Sequence, residues 1–217
     1  MIERTIAAST HGRYLVLPPC ASDPAPLLVG FHGYAEDAGA QLERLRAIPG
    51  SDAWLIVSIQ GLHRFYQRRT NDVIASWMTR QDREHAIADN LTYVDAVVDE
   101  VSREFAALPR VVFAGFSQGV AMAFRAAAAS SRGVAGLIAA GGDVPPEIGL
   151  ETLARVGSAL VCRGVHDPLY APATFQNDLR RLRESAVQVT SLEFDGGHEW
   201  STPVLDAASF FLRERRR

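Results

Sequence analysis

Chemistry in this sequence starts at Gly115-Phe116-Ser117-Gln118-Gly119. A glycine two positions either side of a serine lets the chain turn sharply between a strand and a helix and holds the hydroxyl out at the tip. Val111, Val112, Phe113, Ala114 and then Phe116 supply the strand character within Arg110–Gly119, and VAMAFRAAAAS behind them is a run of strong helix formers. So placed, Ser117 stands at the positive end of a helix, with the Gln118 main-chain N–H turned toward whatever the hydroxyl attacks. A serine hydroxyl is a poor nucleophile until a base takes its proton, and the base needs a third group to orient it. His198 is the favoured base: two glycines free its loop, and it comes after the serine in chain order. His166 is the rival, but it directly precedes Asp167 on the loop where the acid is expected. Asp167 fits the order Ser, Asp, His. Asp143, one strand earlier, could serve in a permuted site, and Asp195 is too close to His198 in sequence to reach its ring easily.

A tetrahedral intermediate places negative charge on the former carbonyl oxygen, so donors must already point there. The Gln118 N–H is one. The other is expected from Tyr34, just after His32-Gly33, with His32 bonding within its loop. His11, His63 and His85 need no special role. No metal is expected, since His198-Glu199 and His166-Asp167 both lack companions at ligand spacing, and no Gly-rich phosphate loop is present. The stretch HRFYQRRTN (His63–Asn71) carries Arg64, Arg68 and Arg69 among aromatics; it could bind an anionic substrate group or be a solvated loop.

The elements that must position these residues alternate. Apolar runs at Leu27–Phe31, Ala53–Ile59, Val134–Ala140 and Ala159–Gly164 read as strands, as do Val111–Ala114 with Phe116 inside Arg110–Gly119, and Val187–Phe194; the continuous run Leu27–Phe31 is the mark of a strand buried on both faces. Helical spacing covers Asp37–Ala47, Arg83–Leu108, Phe175–Glu184 and Ser201–Arg213, whose terminal Arg213, Arg215, Arg216 and Arg217 suit a helix C-terminus. Glu3–Ala8 and Arg13–Leu17 read as a hairpin. Gln60–Asp82 reads as a long connection without periodicity whose length makes it a candidate for lining a site. Strands alternating with helices imply an α/β fold with a mostly parallel sheet covered on both faces, and sites in such sheets lie beyond the carboxyl ends of the strands. His32, Ser117, Asp143, Asp167 and His198 all stand just past predicted strands.

A chain of 217 residues favours one domain, 1–217, with a full core. A net charge of −3 gives no electrostatic reason to expect nucleic acid. Cys20 and Cys162 could pair, but two free thiols in a reducing compartment is the preferred state. The N-terminal residues lack the charged-then-apolar order of a signal peptide, and no stretch approaches a membrane span, so a cytoplasmic protein is expected.

With these residues assembled, the chain resembles the α/β-hydrolase fold, and within it the phospholipase/carboxylesterase family that includes acyl-protein thioesterases. The resemblance rests on FHGYAED (Phe31–Asp37), Trp77, AGFSQG (Ala114–Gly119), GVHDPLY (Gly164–Tyr170) and DGGHEW (Asp195–Trp200). It implies Ser117, Asp167 and His198 as nucleophile, acid and base, Tyr34 and Gln118 as the oxyanion hole, and Trp77, with His32, beside the substrate pocket. It also implies hydrolysis of small carboxylic esters or thioesters without a cofactor, often by a dimer. Val120 stands where members often carry a glycine, and Met78 and Thr79 where they often show an aromatic and an aspartate. No large cap insertion fits between Ser117 and Asp167. The leading reading is a carboxylesterase working through an acyl-enzyme; thioesterase or lysophospholipase activity would use the same residues. A reading from another class, a non-catalytic ligand-binding protein on the same fold, would be favoured by a missing triad member.

Overall fold

The computed structural model describes residues 1–20 and 24–216. In chain order the first half contains β1 (Arg13–Leu17), β2 (Leu27–Phe31), α1 (Ala38–Arg46), β3 (Leu55–Gln60), β4 (His63–Tyr66), β5 (Val73–Ser76) and α2 (Arg83–Glu104). The second half contains β6 (Arg110–Phe116), α3 (Gln118–Ala129), β7 (Gly133–Ala140), α4 (Leu150–Leu153), β8 (Ser158–Gly164), α5 (Pro172–Glu184), β9 (Gln188–Phe194) and α6 (Thr202–Arg215). Seven strands form one sheet in the order β1-β3-β2-β6-β7-β8-β9, parallel except for β1, which runs antiparallel to β3. From β2 the chain moves outward to β3, then returns to lay β6 on the other side of β2 and winds the opposite way to β9. The strand order therefore reverses between β2 and β6, where an open parallel sheet leaves a crevice at its carboxyl edge.

Burial explains why the central strands are apolar throughout. Every residue of β2, β3 and β8 is buried, because helices cover both faces. Val94, Val97, Val98 and Val101 of α2, Met122 and Phe124 of α3, and Phe175, Leu179 and Leu182 of α5 pack one face. Leu45 of α1 and Val204, Ala208, Phe211 and Leu212 of α6 pack the other. No large cap interrupts this arrangement among the described residues.

Three expectations change, and one element is added. Glu3–Ala8 forms no strand: residues 1–12 are exposed, Ile2 and Ile6 among them. Alternation there puts Arg4 on the face of Ile2 and Ile6, so the segment offers no apolar side, and β1 pairs with β3 instead. The Gln60–Asp82 connection folds into the β4–β5 hairpin, closed where Gln67 N–H donates to Asp72 O and Asn71 takes a left-handed φ of 60°. The long helix α2 stops at Glu104, where Ala106 turns left-handed and Leu108 N–H donates to Ala25 O. The short α4 has no periodic signal in four residues. Both cysteines are free, Cys20 exposed and Cys162 buried, and burial pushes the Cys162 thiol up to about 12. Arg217 lies outside the described residues.

Candidate active site

Ser117 stands between β6 and α3 with φ 53° and ψ −122°, a backbone that costs a non-glycine residue about 1–3 kcal/mol. The turn is held from both sides: Ser117 N–H donates to Ala140 O at 2.9 Å, and Val120 N–H donates to Ser117 O at 3.0 Å. Close backbone approach makes the flanking glycines necessary. A Cβ on Gly115 would lie 2.4 Å from Gly119 O, and one on Gly119 would lie 2.1 Å from Phe31 O at the end of β2. Val120 is fully buried behind this turn.

His198 follows β9, and its Nδ1–H donates to Asp167 Oδ2 at 2.8 Å. The other oxygen of Asp167 accepts the Leu169 N–H at 2.8 Å and the Tyr170 N–H at 3.0 Å. Burial alone would raise this carboxyl, but the hydrogen bonds from His198, Tyr170 and Leu169 outweigh it and hold Asp167 below the ordinary carboxylate value. The imidazole also rests against the Phe116 ring, centroids 5.1 Å apart. Neither rival is placed like this. His166 is exposed and meets the equally exposed Asp195 at 3.1 Å, while Asp143 has no contact of hydrogen-bond length with His198.

Two clefts open on Ser117 and His198. The larger, about 450 Å³, has Tyr34, Phe116, Leu169 and Trp200 in its wall. The smaller, about 260 Å³, lies toward Gln118, Asp143, Tyr170 and Thr174. Tyr34 is exposed, its ring tilted on Phe65 at 5.9 Å. Gln118 opens α3, and its side-chain Oε1 accepts the Trp77 N–H at 3.0 Å while its Nε2 donates to Met78 O at 3.2 Å.

Trp77 and His32 lie beneath the clefts, not in their walls. Both are fully buried, and the Trp77 indole N–H donates to His32 O at 2.8 Å. His32 donates from Nδ1 to Gly33 O at 2.7 Å and accepts the Gly61 N–H at Nε2, 3.0 Å away. That pattern requires the neutral ring, in keeping with burial holding its pKa below the ordinary histidine value. Both residues brace the Tyr34 loop from beneath.

Sequence reasoning misses an ion pair in the larger cleft. Glu36 accepts from both the Gly33 N–H and Arg44 Nη1 at 2.7 Å, and the Arg44 guanidinium stacks 4.2 Å over Phe116. Burial pushes the Glu36 carboxyl up, but Arg44 and the Gly33 N–H outweigh it and bring it down. Glu36 and Arg44 stand eight positions apart with Glu36 outside α1, so helical periodicity does not bring them together in the sequence. Arg64 reaches back to His11 O at 3.1 Å, so one of the three hairpin arginines is spent on the chain itself. Among the described residues no cluster of three or more His, Cys, Asp or Glu could hold a metal, and no helix is long and apolar enough to cross a membrane.

A reversing parallel sheet with a strained serine at the end of its central strand defines the class of α/β hydrolases. Solved structures of that fold superpose on it over nearly the whole chain. A carboxylesterase from Bacillus cereus matches at 16% identity and TM-score 0.72, covering 94% of each chain. One from Mesorhizobium loti matches at 17% and 0.76, covering 93% of this chain and 94% of that one. The esterase PE8 matches at 20% and 0.76, covering 95% and 100%. A search of curated proteins finds no match. The phospholipase/carboxylesterase family profile matches residues 21–215, and the chain belongs to that family. It is accordingly an enzyme of the serine ester hydrolase class.

Proposed function

We propose that the protein is a carboxylesterase that cleaves small carboxylic esters through Ser117, His198 and Asp167. The observation that carries this reading is the 2.8 Å hydrogen bond from His198 Nδ1 to Asp167 Oδ2, made by a histidine that shares both clefts with Ser117. With Nδ1–H committed to Asp167, the Nε2 lone pair of His198 is the one left to take the Ser117 proton. The hydroxyl oxygen attacks the acyl carbonyl, and the Tyr34 and Gln118 main-chain N–H groups receive the oxyanion. The imidazolium, steadied by the ionised Asp167, returns its proton to the departing alcohol, and water then repeats the attack on the acyl-enzyme with His198 as base. No step calls for a cofactor.

Small substrates fit clefts of about 450 and 260 Å³ without a cap over them. A thioester or lysophospholipid would meet the same groups. Residues 1–217 act as one domain in this reading, supported by the single seven-stranded sheet to which both packed faces belong. A cytoplasmic setting accords with the two free thiols. The test is hydrolysis of p-nitrophenyl acetate and butyrate by the wild type and Ser117→Ala. The account expects turnover in the first and none in the second; equal rates would refute it.

A further inference from the structure

Hydrogen bonding on His198 goes to Asp167, which leaves Asp143 unused. Among the described residues it makes no hydrogen bond or ion pair, yet it is no ordinary surface carboxylate. It lies in the wall of the smaller cleft together with Ser117, Gln118 and His198. Among the described residues that line this cleft there is no arginine or lysine, and Asp143 is its one carboxylate. Arg125 feels the Asp143 charge, but its Nε donates to Glu147 at 2.9 Å, and Arg181 donates to the carbonyls of Val144, Pro145 and Ile148 at 2.8–3.1 Å. Those bonds, with the Val144 N–H on Asp178 at 3.0 Å, also tie down the loop that bears Asp143. In the larger cleft Arg44 is cancelled by Glu36, and the remaining carboxylate, Glu199, accepts the Gly197 N–H at 2.9 Å beside the rings of Tyr34, Phe116 and Trp200.

An exposed carboxylate carried on a braced loop beside a nucleophile attracts a cation on the bound substrate and repels an anion. We infer that Asp143 is a specificity-determining residue that selects esters bearing an ammonium group, seated in the smaller cleft while the uncharged half of the ester occupies the larger one. The inference rests on the proposed roles of Ser117 and His198.

Two matched pairs of probes test it, since either half of an ester could enter the smaller cleft. Acetylthiocholine against S-(3,3-dimethylbutyl) thioacetate places the charge on the leaving group; phenyl betaine ester against phenyl 3,3-dimethylbutanoate places it on the acyl group. Each cation is compared with its carbon isostere, and the cation-to-isostere ratio of kcat/KM in wild type is divided by that in Asp143→Asn, which cancels intrinsic reactivity. The expected quotient is about three- to tenfold for at least one pair, the scale of a partly solvated charge pair. In wild type alone, the cation preference should shrink as salt rises to about 1 M, a readout that does not depend on the variant folding. A quotient near one for both pairs, or a preference indifferent to salt, in an enzyme that turns over the neutral esters would overturn this inference alone. A wild type inert toward both neutral esters would overturn the proposed function and this inference with it.

Discussion

Replacing Tyr170 by Phe takes away the hydroxyl that donates to the buried Asp178 carboxylate at 2.9 Å and leaves that group the Val144 N–H at 3.0 Å. Burial lifts Asp178 above the ordinary carboxylate value of 3.8, because desolvation outweighs the two hydrogen bonds and the Asp143 charge adds to it. Between that value and the higher folded one, the native state holds a proton the unfolded chain has lost. Stability therefore declines as pH rises through this window, and the ionised carboxylate is a standing cost at neutral pH. Losing the phenol deepens the cost where Asp178 is ionised. At pH 7.5 the loss is a hydrogen bond to a charged group, about 1.5–3 kcal/mol; in acid, with Asp178 neutral, it falls to about 0.5–1.5 kcal/mol. For a chain of this length each kcal/mol moves Tm by roughly 2–4 °C. Urea unfolding of wild type and variant at pH 7.5, and at the lowest pH where the wild type stays folded, measures both values. A destabilisation equal at the two pH values, or larger in acid, would refute the reasoning.

The other substitutions act on the site itself. Asp167→Asn should lower kcat by about 10⁴-fold by analogy with triad enzymes, since the amide cannot hold His198 in its working tautomer; a larger loss from Asp143→Asn would reassign the orienting acid. Gly119→Ala should abolish both turnover and cooperative unfolding at the wild-type midpoint, because its Cβ would sit 2.1 Å from Phe31 O, a backbone atom that cannot step aside. Denaturation curves matching the wild type would show that α3 and β2 can separate at no cost.

Much of this was legible because burial writes itself into composition. Leu27–Phe31 and Ala159–Gly164 are apolar throughout, and strands covered on both faces need that pattern. Ser117 and Asp167 could be picked out since each follows a buried strand, and His198 since it follows the edge strand β9; a parallel sheet collects those ends on one edge. What stayed hidden depends on contacts between distant residues. Glu3–Ala8 has strand propensity but nothing to pair with, and propensity alone does not hold a strand. The β4–β5 hairpin is short and its outer strand is exposed, so no apolar alternation marks it. Trp77 and His32 sit next to pocket-forming loops in sequence, yet their hydrogen bonds to each other's surroundings draw them beneath the cleft. Glu36 and Arg44 are ordinary surface types until the cap of α1 brings them together.

The most direct test of the central claim is covalent. A fluorophosphonate probe should modify wild type once, with the adduct mapped by peptide mass to Ser117, and loss of esterase activity should track its appearance. Ser117→Ala should take no label. An active, folded wild type that stays unmodified, or that carries the adduct on another residue while Ser117→Ala keeps its turnover, would contradict the assignment.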